Sequence, residues 1–284
     1  MIRTRWEVLL FHNEKEEIED LRRKIFLTGY KGGMVHLASC FSCVEMLYAF
    51  YCKGILKLNK KDAKWRDRDR FVLSKGHAGL ALYAVLMKAG YISEELFNSY
   101  LIGDSAIGGE PCSRDCEWIE SATGSLGHGL SVGLGMAIAL KMDDSPAKVY
   151  VMLGDGELEE GTVWEALLVA PKFEVTNLIA IIDCNKIQKM NYIDNIIGPP
   201  EWKKKLESFG WIVDEVDGHD VDAFTECILN EKDLDRPRIV IANTIKGKGV
   251  SIMENNPNWH FKTPKGRELK VFMDELGINE AELR

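Results

Sequence analysis

The sequences VYVMLGDG at residues 149–156 and LIAIIDCNKI at residues 178–187 decide the predicted fold. Each begins with an apolar run long enough for a buried strand and ends in glycine or polar residues. A helical pattern at residues 158–170 lies between them, as expected for the crossover of a β-α-β unit. Continuous aliphatic strands that alternate with helices predict an α/β fold, a parallel sheet with helices on both faces.

The same alternation continues on both sides of this unit. Strands are expected at residues 71–73, 148–153, 178–182, 212–216 and 239–242, and helices at 13–28, 41–51, 80–88, 126–141, 158–170, 202–209 and 221–229. Residues 100–121 have no periodicity and are predicted to form a long loop, which in a compact domain is usually functional or mobile. We expect a single domain over residues 1–284, with its N-terminal helix at about 13–28 and a polar C-terminal tail at about 265–284.

The composition is that of an ordinary globular protein and argues against several classes of function. The chain has 36 Lys and Arg against 44 Asp and Glu, and this net charge of −8 argues against a nucleic-acid or anionic-membrane binder. No stretch approaches the ~18 apolar residues of a membrane span, and the N-terminus lacks the features of a signal peptide. We therefore expect a cytoplasmic protein with neither a nucleic-acid nor a membrane partner.

The seven cysteines indicate buried reduced thiols, because several of them lie in apolar runs. A zinc site built from the pairs Cys40, Cys43 and Cys112, Cys116 is the alternative. The first pair, however, lies inside a helical pattern and is far from the second in sequence. The pattern favours buried helix cysteines and leaves the zinc site open.

Polar residues follow the two strands that were quoted first. Asp155 supplies a carboxylate oxygen, Asn185 an amide oxygen, and a backbone carbonyl after Asn185 can add a third. Ligands bind beyond the carboxyl ends of strands in open α/β sheets, and this oxygen set suits Mg²⁺ or Ca²⁺ that bridges to a diphosphate. Gly156 would let its N–H approach a phosphate at the start of the next helix.

At these residues the sequence resembles a known family. Gly154, Asp155 and Gly156 followed by Asn185 look like the thiamine diphosphate motif, and most of the chain is similar to the N-terminal half of transketolase. The matching motifs are 69–78 (DRFVLSKGHA), 123–131 (TGSLGHGLS), Glu160-Gly161, 183–187 (DCNKI), 246–249 (KGKG) and Trp259-His260. They cover roughly residues 20–265 in order and spacing, so the resemblance implies the thiamine diphosphate-binding (diphosphate-domain) fold.

The resemblance also implies the binding residues. Asp155, Asn185 and the Ile187 carbonyl would hold the metal, while His77 and His260 would contact the diphosphate. The cofactor-binding set that it implies is His77, Gly124, Ser125, Leu126, Gly154, Asp155, Gly156, Asn185 and His260, with Gly124, Ser125 and Leu126 along the aminopyrimidine.

Catalytic and substrate roles follow from the same resemblance. His36 falls where the family has a histidine near the reactive thiazolium carbon, and His260 would also face the substrate channel. Glu160 matches a dimer-interface glutamate that relays protons between paired active sites. Imidazoles that titrate near neutrality can donate to phosphate and shuttle protons, so His36, His77, His260 and Glu160 form the predicted catalytic set.

The resemblance assigns no role to the other histidines and lysines considered. His128 either touches the cofactor or caps a helix, and His12 and His219 are expected at the surface. Lys246 and Lys248 either form a solvated basic turn or bind an anion.

Two positions depart from the family pattern. Glu110, in Gly108-Gly109-Glu110-Pro111, replaces a histidine that contacts sugar hydroxyls, and Phe261 replaces a glycine after His260. Glu110, His36 and His260 are therefore the tentative substrate residues, and the departures put sugar-phosphate specificity in doubt.

The resemblance implies a separate partner, because the family's pyrimidine-binding domain should follow the diphosphate domain and this sequence ends at Arg284. We expect the N-terminal subunit of a split transketolase that works with a C-terminal subunit, as an α₂β₂ assembly. Its reaction would be the thiamine diphosphate-dependent transfer of a two-carbon ketol unit from a ketose or ketose phosphate to an aldehyde. The alternatives are a specialised acyloin-forming or decarboxylating transferase with the same cofactor, and a cofactor-free regulatory or scaffold subunit.

Overall fold

The structure, a computed structural model, describes residues 5–33, 36–230 and 235–283, with side chains from residue 14 onward. Its sheet has five parallel strands in the order β1-β2-β3-β5-β4. The strands are β1 (Arg70–Leu73), β2 (Val149–Gly154), β3 (Leu178–Cys184), β4 (Ile212–Asp217) and β5 (Arg238–Asn243). The predicted parallel sheet is confirmed, and each strand lies within two residues of its predicted bounds.

Helices cover both faces of this sheet, as predicted. They are α1 (Arg5–Gly32), α2 (Leu37–Ser42), α3 (Val44–Cys52), α4 (Gly79–Lys88), α5 (Glu94–Asn98), α6 (His128–Met142), α7 (Gly161–Lys172), α8 (Ile193–Ile196), α9 (Trp202–Ser208), α10 (Val221–Leu229) and α11 (Arg267–Leu276). Side chains alternate along the strands: Tyr150 and Met152 of β2 pack in the core with α1, α3, α4 and α10. Val149 and Val151 pack in a second hydrophobic core on the opposite face of the sheet, beneath α6, α7 and α9. A strand buried on both faces has no polar period, which explains the continuous apolar runs.

Several helix bounds differ from the prediction. The N-terminal helix begins at Arg5 and ends at Gly32, rather than spanning 13–28. The helix expected at 41–51 is two helices, α2 and α3, which are interrupted at Cys43 with φ −118°. Both helices are buried almost all round, so their sequence carried no amphipathic period that could have marked the break. The helix expected from residue 126 begins at His128, and the one expected from residue 158 begins at Gly161, after a 3₁₀ turn at Gly156–Glu159.

The C-terminal tail, predicted to be polar, is anchored to the core. Phe272 of α11 is fully buried, and its ring lies 5.2 Å from Phe26 and 5.1 Å from Trp259 between centroids. Trp259 precedes His260, so α11 supports the segment that carries a predicted site histidine.

The long segment between α5 and α6 packs around Pro111. The Thr123 N–H donates to the Pro111 carbonyl at 3.0 Å. Gly79 leaves room for the proline ring, since a Cβ at this position would lie 2.7 Å from the Pro111 Cδ. Glu110 is thereby held beside Gly124. Among the described residues, no helix is long and apolar enough to cross a membrane.

Candidate active site

The carboxyl ends of β2 and β3 bring the two quoted sequences together. Gly154 is in register with Asp183, and the Asp155 N–H donates to the Asp183 carbonyl at 3.2 Å. The Asp155 carboxylate accepts hydrogen bonds from the N–H groups of Gly156, at 2.8 Å, and Lys186. The strand ends therefore place Asp155 and Asn185 at one edge of the sheet, where α/β proteins bind ligands.

A pocket of about 250 Å³ opens at this edge. The predicted residues that line it are His36, His77, Glu110, Gly124, Leu126, Gly154, Asp155, Gly156, Asn185, Ile187 and His260. Two predicted residues do not line it: Ser125 and Glu160 are exposed, and Glu160 precedes the first residue of α7.

Three histidines form one cluster in the pocket. The ring centroid of His36 lies 5.2 Å from both His77 and His260, which are 5.7 Å apart. Burial, and next the charge of Lys246, lower the pKa of His36 to about 4 and of His260 to about 3. Burial, followed by Lys75, holds the pKa of His77 well below its usual range. All three imidazoles are therefore neutral near pH 7, and each carries one N–H donor and one acceptor nitrogen.

Lys246 and Lys248, equivalent in sequence, have different surroundings. Lys246 is 2% exposed, and its Nζ donates to the Ile187 carbonyl at 2.8 Å and lies 3.1 Å from the His260 Nδ1. Burial, then the charge of Lys75, lowers the pKa of the Lys246 ammonium to about 8. Lys248 instead lines a groove elsewhere on the surface. Lys246 is thus a buried cation of the pocket, not part of a solvated turn.

Asp155 is the buried carboxylate of the pocket and is 2% exposed. Burial, and next the charge of Asp183, raise its pKa to about 7. The raised pKa means that the ionised carboxylate is disfavoured, and a nearby cation would stabilise it. Asn185 and the Ile187 carbonyl, which can supply further oxygen ligands, line the same pocket. The residues therefore fit a hard metal ion that binds oxygen.

The zinc alternative has no support in the described part of the chain. No group of three or more His, Cys, Asp or Glu side chains there could hold a metal ion. Cys40 and Cys43 are buried free thiols, and burial raises the pKa of Cys40 to about 12. A protonated buried thiol is a core residue rather than a metal ligand.

The sequence prediction missed a buried ion pair under the pocket. Lys75 and Asp183 are 1% and 0% exposed in their side chains, and the Lys75 Nζ donates to the Asp183 carboxylate. Ser42 donates to the same carboxylate at 2.6 Å, and Thr244 also donates to it. A lysine and an aspartate within apolar runs, FVLSKGHAGL and LIAIIDC, are the signal that could have indicated this pair.

Glu157 was missed as well. Its buried carboxylate accepts from Ser74 Oγ and from the backbone N–H groups of Gly127, at 2.9 Å, and Gly154, at 3.2 Å. Glu157 therefore ties the loop before α6 to the end of β2.

Glu110 and Phe261, the two departures from the family pattern, stand at the pocket. The Glu110 carboxylate occupies the space that a Cβ at residue 124 would fill, and Gly124 has φ +127°. Only glycine meets both conditions. The Phe261 ring is 48% exposed and its centroid lies 4.7 Å from His36. His128, for which a cofactor contact and a helix cap are the alternatives, has an exposed ring whose Nδ1 lies 3.2 Å from the Leu126 carbonyl, a local contact.

Comparison with known proteins identifies the family of this arrangement. The family model described as transketolase, thiamine diphosphate binding domain, matches residues 28–283. An apulose-4-phosphate transketolase subunit of Actinobacillus succinogenes is 38% identical over 271 residues, 94% of this chain and 97% of that protein. A 6-deoxy-6-sulfo-D-fructose transketolase subunit of a Clostridium species is 38% identical over 225 residues, 79% of this chain and 82% of that protein.

A solved structure gives the same result. The transketolase of Pichia stipitis, in complex with sedoheptulose 7-phosphate, superposes with a TM-score of 0.85 at 29% identity. The match covers 94% of this chain and 42% of the Pichia protein. The predicted resemblance and fold are therefore confirmed, and so is ketol transfer with thiamine diphosphate as the family reaction. The chain belongs to the transketolase family, as a thiamine diphosphate-binding subunit of the kind found in split transketolases.

Proposed function

We propose that this chain binds thiamine diphosphate with a divalent cation, Mg²⁺ or Ca²⁺, in the pocket at the ends of β2 and β3, and that residues 1–284 act as one diphosphate-binding domain. One observation carries the proposal: a buried carboxylate, an amide, a carbonyl, a buried lysine and three neutral histidines line one pocket. Asp155, Asn185 and the Ile187 carbonyl would hold the cation, because hard cations prefer oxygen ligands. The Lys246 ammonium, now on the Ile187 carbonyl, would then turn to the diphosphate.

The diphosphate would lie among the donors of the pocket. Neutral His77 and His260 can each donate one N–H to a phosphate oxygen, and Lys246 adds a charged donor. Gly154 and Gly156 also line the pocket and add no side chain of their own to its wall. Gly124, Ser125 and Leu126 would flank the aminopyrimidine. Of these three residues, Gly124 and Leu126 line the pocket.

The bound cofactor would supply the carbanion chemistry that carbon–carbon cleavage needs. The chain itself would orient the sugar and move protons. His36 and His260, half-buried and neutral, can accept a proton from a substrate hydroxyl and return it. Glu160 is exposed at the start of α7, so it is free to reach a neighbouring chain, as a proton relay between paired sites requires.

We also propose that the chain works with a separate C-terminal subunit that carries the pyrimidine-binding domain, in an α₂β₂ assembly. The names of two relatives, which are subunits of transketolases for apulose 4-phosphate and 6-deoxy-6-sulfo-D-fructose, support a separate partner chain and an anionic ketose donor. Glu110 and Phe261 at the pocket would set which donor is accepted.

The test is reconstitution. With Mg²⁺ and thiamine diphosphate, the purified chain should transfer no ketol unit until the partner chain is added, and the active complex should have the mass of two copies of each chain. Robust turnover by the chain alone would contradict the two-subunit proposal. Asp155→Ala in the same complex should remove both cofactor binding and turnover. A donor series that includes xylulose 5-phosphate and apulose 4-phosphate then identifies the preferred ketose.

A further inference from the structure

A buried polar network outside the cofactor pocket contacts the loop that carries Lys246. It links Arg22 of α1, Glu45 of α3 and His219 in the turn before α10. The Arg22 guanidinium donates to the Glu45 Oε1 at 2.5 Å and to the Phe41 carbonyl at 3.3 Å. The Glu45 Oε2 lies 3.2 Å from the His219 Nδ1. Arg22 and Glu45 are 6% and 5% exposed, so this pair is a fixed part of the core.

His219 connects this network to the loop that carries Lys246. The Ile245 N–H donates to the His219 Nε2 at 2.8 Å. A nitrogen that accepts a hydrogen bond carries no proton, so the proton of the neutral ring is on Nδ1, which lies 3.2 Å from the Glu45 carboxylate without meeting hydrogen-bond geometry. The side chain of His219 is 12% exposed, which corrects the expectation of a surface histidine; His12 falls outside the side chains that the structure describes.

We propose that His219 is a positioning residue that holds the loop at Ile245 and thereby sets the place of the Lys246 ammonium in the cofactor pocket. The inference rests on the proposed function, because Lys246 is assigned there to the diphosphate. Ile245 immediately precedes Lys246, so a shift of its N–H moves the lysine backbone. The Thr244 and Gly247 N–H groups are anchored to backbone carbonyls, those of Cys184 and Ala38. The Ile245 N–H is instead anchored to a side chain, which a single substitution can remove.

Glu45 and Arg22 form a buried ion pair whose carboxylate lies beside the histidine ring. Although burial opposes ionisation, Arg22 and His219 hold the pKa of the Glu45 carboxyl below its usual range. An ionised carboxylate 3.2 Å from Nδ1 electrostatically favours the tautomer with the proton on Nδ1, whose Nε2 accepts from the loop. His219, Glu45 and Arg22 line a surface groove, and none of them lines the cofactor pocket. The hydrogen bond to the Ile245 N–H is the contact through which His219 would act on anion binding.

Binding of inorganic diphosphate with Mg²⁺ to the full chain, measured by calorimetry, tests the proposal without turnover. His219→Ala removes the acceptor and should weaken diphosphate about tenfold, the loss expected when one hydrogen bond that orders a charged donor is broken. His219→Gln can bring its amide oxygen to the place of Nε2 and should stay within about twofold of wild type. Lys246→Met is the positive control and Lys248→Met the matched negative control. Circular dichroism and thermal unfolding establish that each variant is folded.

The outcomes separate the two levels of inference. A folded His219→Ala chain with wild-type diphosphate affinity, beside a weakened Lys246→Met chain, overturns the positioning role. Wild-type affinity in both variants overturns the assignment of Lys246 itself. A merely structural role would lower the unfolding temperature of His219→Ala and leave the affinity of the folded protein unchanged. If His219→Ala does not fold, His219→Asn, whose shorter side chain cannot reach the Ile245 N–H, takes its place, and equal affinity in the Asn and Gln variants refutes the proposal.

Discussion

Replacement of Lys246 by methionine gives the sharpest test of the pocket, because it keeps the length of the side chain and removes its charge. Lys246 is 2% exposed and lies between the Ile187 carbonyl and the His260 Nδ1. The substitution should change two quantities independently: the affinity for thiamine diphosphate and the stability of the cofactor-free protein.

The affinity should fall. A hydrogen bond to a charged group contributes about 1.5–3 kcal/mol. Loss of one such bond to the diphosphate therefore corresponds to about 10- to 150-fold weaker binding.

The cofactor-free protein, by contrast, should be no less stable. Burial and Lys75 lower the pKa of Lys246 from 10.5 to about 8, so the fold disfavours the ammonium. This cost, roughly 3 kcal/mol, is fully present below about pH 8 and disappears as the pH rises towards the unfolded value. At pH 7 methionine removes this cost and loses the hydrogen bond from the ammonium to the Ile187 carbonyl, which as a charged hydrogen bond contributes about 1.5–3 kcal/mol. The free energy of unfolding should therefore stay equal or rise.

Calorimetric titration with thiamine diphosphate and Mg²⁺, with urea unfolding of the cofactor-free chain, measures both quantities. Lys248→Met is the control, since it removes the same charge outside the pocket and should leave the affinity unchanged. An affinity within about threefold of wild type for Lys246→Met would refute the anion-binding role, because even the weakest charged hydrogen bond exceeds that factor.

Three further predictions follow from other buried groups. The pKa of Asp155 is raised to about 7, so below that pH a metal must displace a proton from this carboxyl. The affinity for Mg²⁺, measured by calorimetry, should therefore fall about tenfold per pH unit below pH 7. An affinity that does not change with pH in this range would contradict the prediction. Asp183→Asn leaves Lys75 buried without its counter-ion and should lower the free energy of urea unfolding by about 3–5 kcal/mol. Asp143→Asn, which breaks an exposed pair with Arg66, should lower it far less, and similar losses in both variants would contradict the role of the buried pair. In the reconstituted complex, Glu110→Gln should lower kcat/KM for the preferred donor about tenfold and leave the affinity for thiamine diphosphate unchanged. A changed cofactor affinity would show that Glu110 contacts the cofactor rather than the donor.

The sheet could be predicted from sequence because its signal is local. A run such as LIAII at 178–182 is apolar throughout and ends at polar residues, so both the strand and its functional end are visible. The pairing of Asp155 with Asn185 at one edge follows from the rule that ligands bind at the carboxyl ends of parallel strands. The break at Cys43 could not be predicted in the same way, because α2 and α3 are buried all round and their apolar residues show no period.

The parts of the site that sequence could not determine depend on burial and on contacts between distant segments. Lys246 and Lys248 have nearly the same local sequence, and only the packing of the loop against Ala38 and Ile187 makes the first one buried. The sequence predicted His219 to be a surface residue in a polar turn, but its Nε2 accepts from the Ile245 N–H and its Nδ1 lies 3.2 Å from Glu45, in a helix far earlier in the chain.

The charges of the pocket also explain why it should bind a diphosphate together with a metal. Lys75 is balanced by Asp183, whereas Lys246 hydrogen-bonds a neutral carbonyl and a neutral imidazole. The pocket by itself disfavours the charged forms of its titratable groups. Its surroundings lower the pKa values of Lys246 and His260 and raise the pKa of Asp155. An anion beside Lys246 and a cation beside Asp155 relieve both at once, so diphosphate and metal should bind more tightly together than separately. A ligand that binds only the folded state also stabilises it, so unfolding should shift further with both present than the sum of the separate shifts.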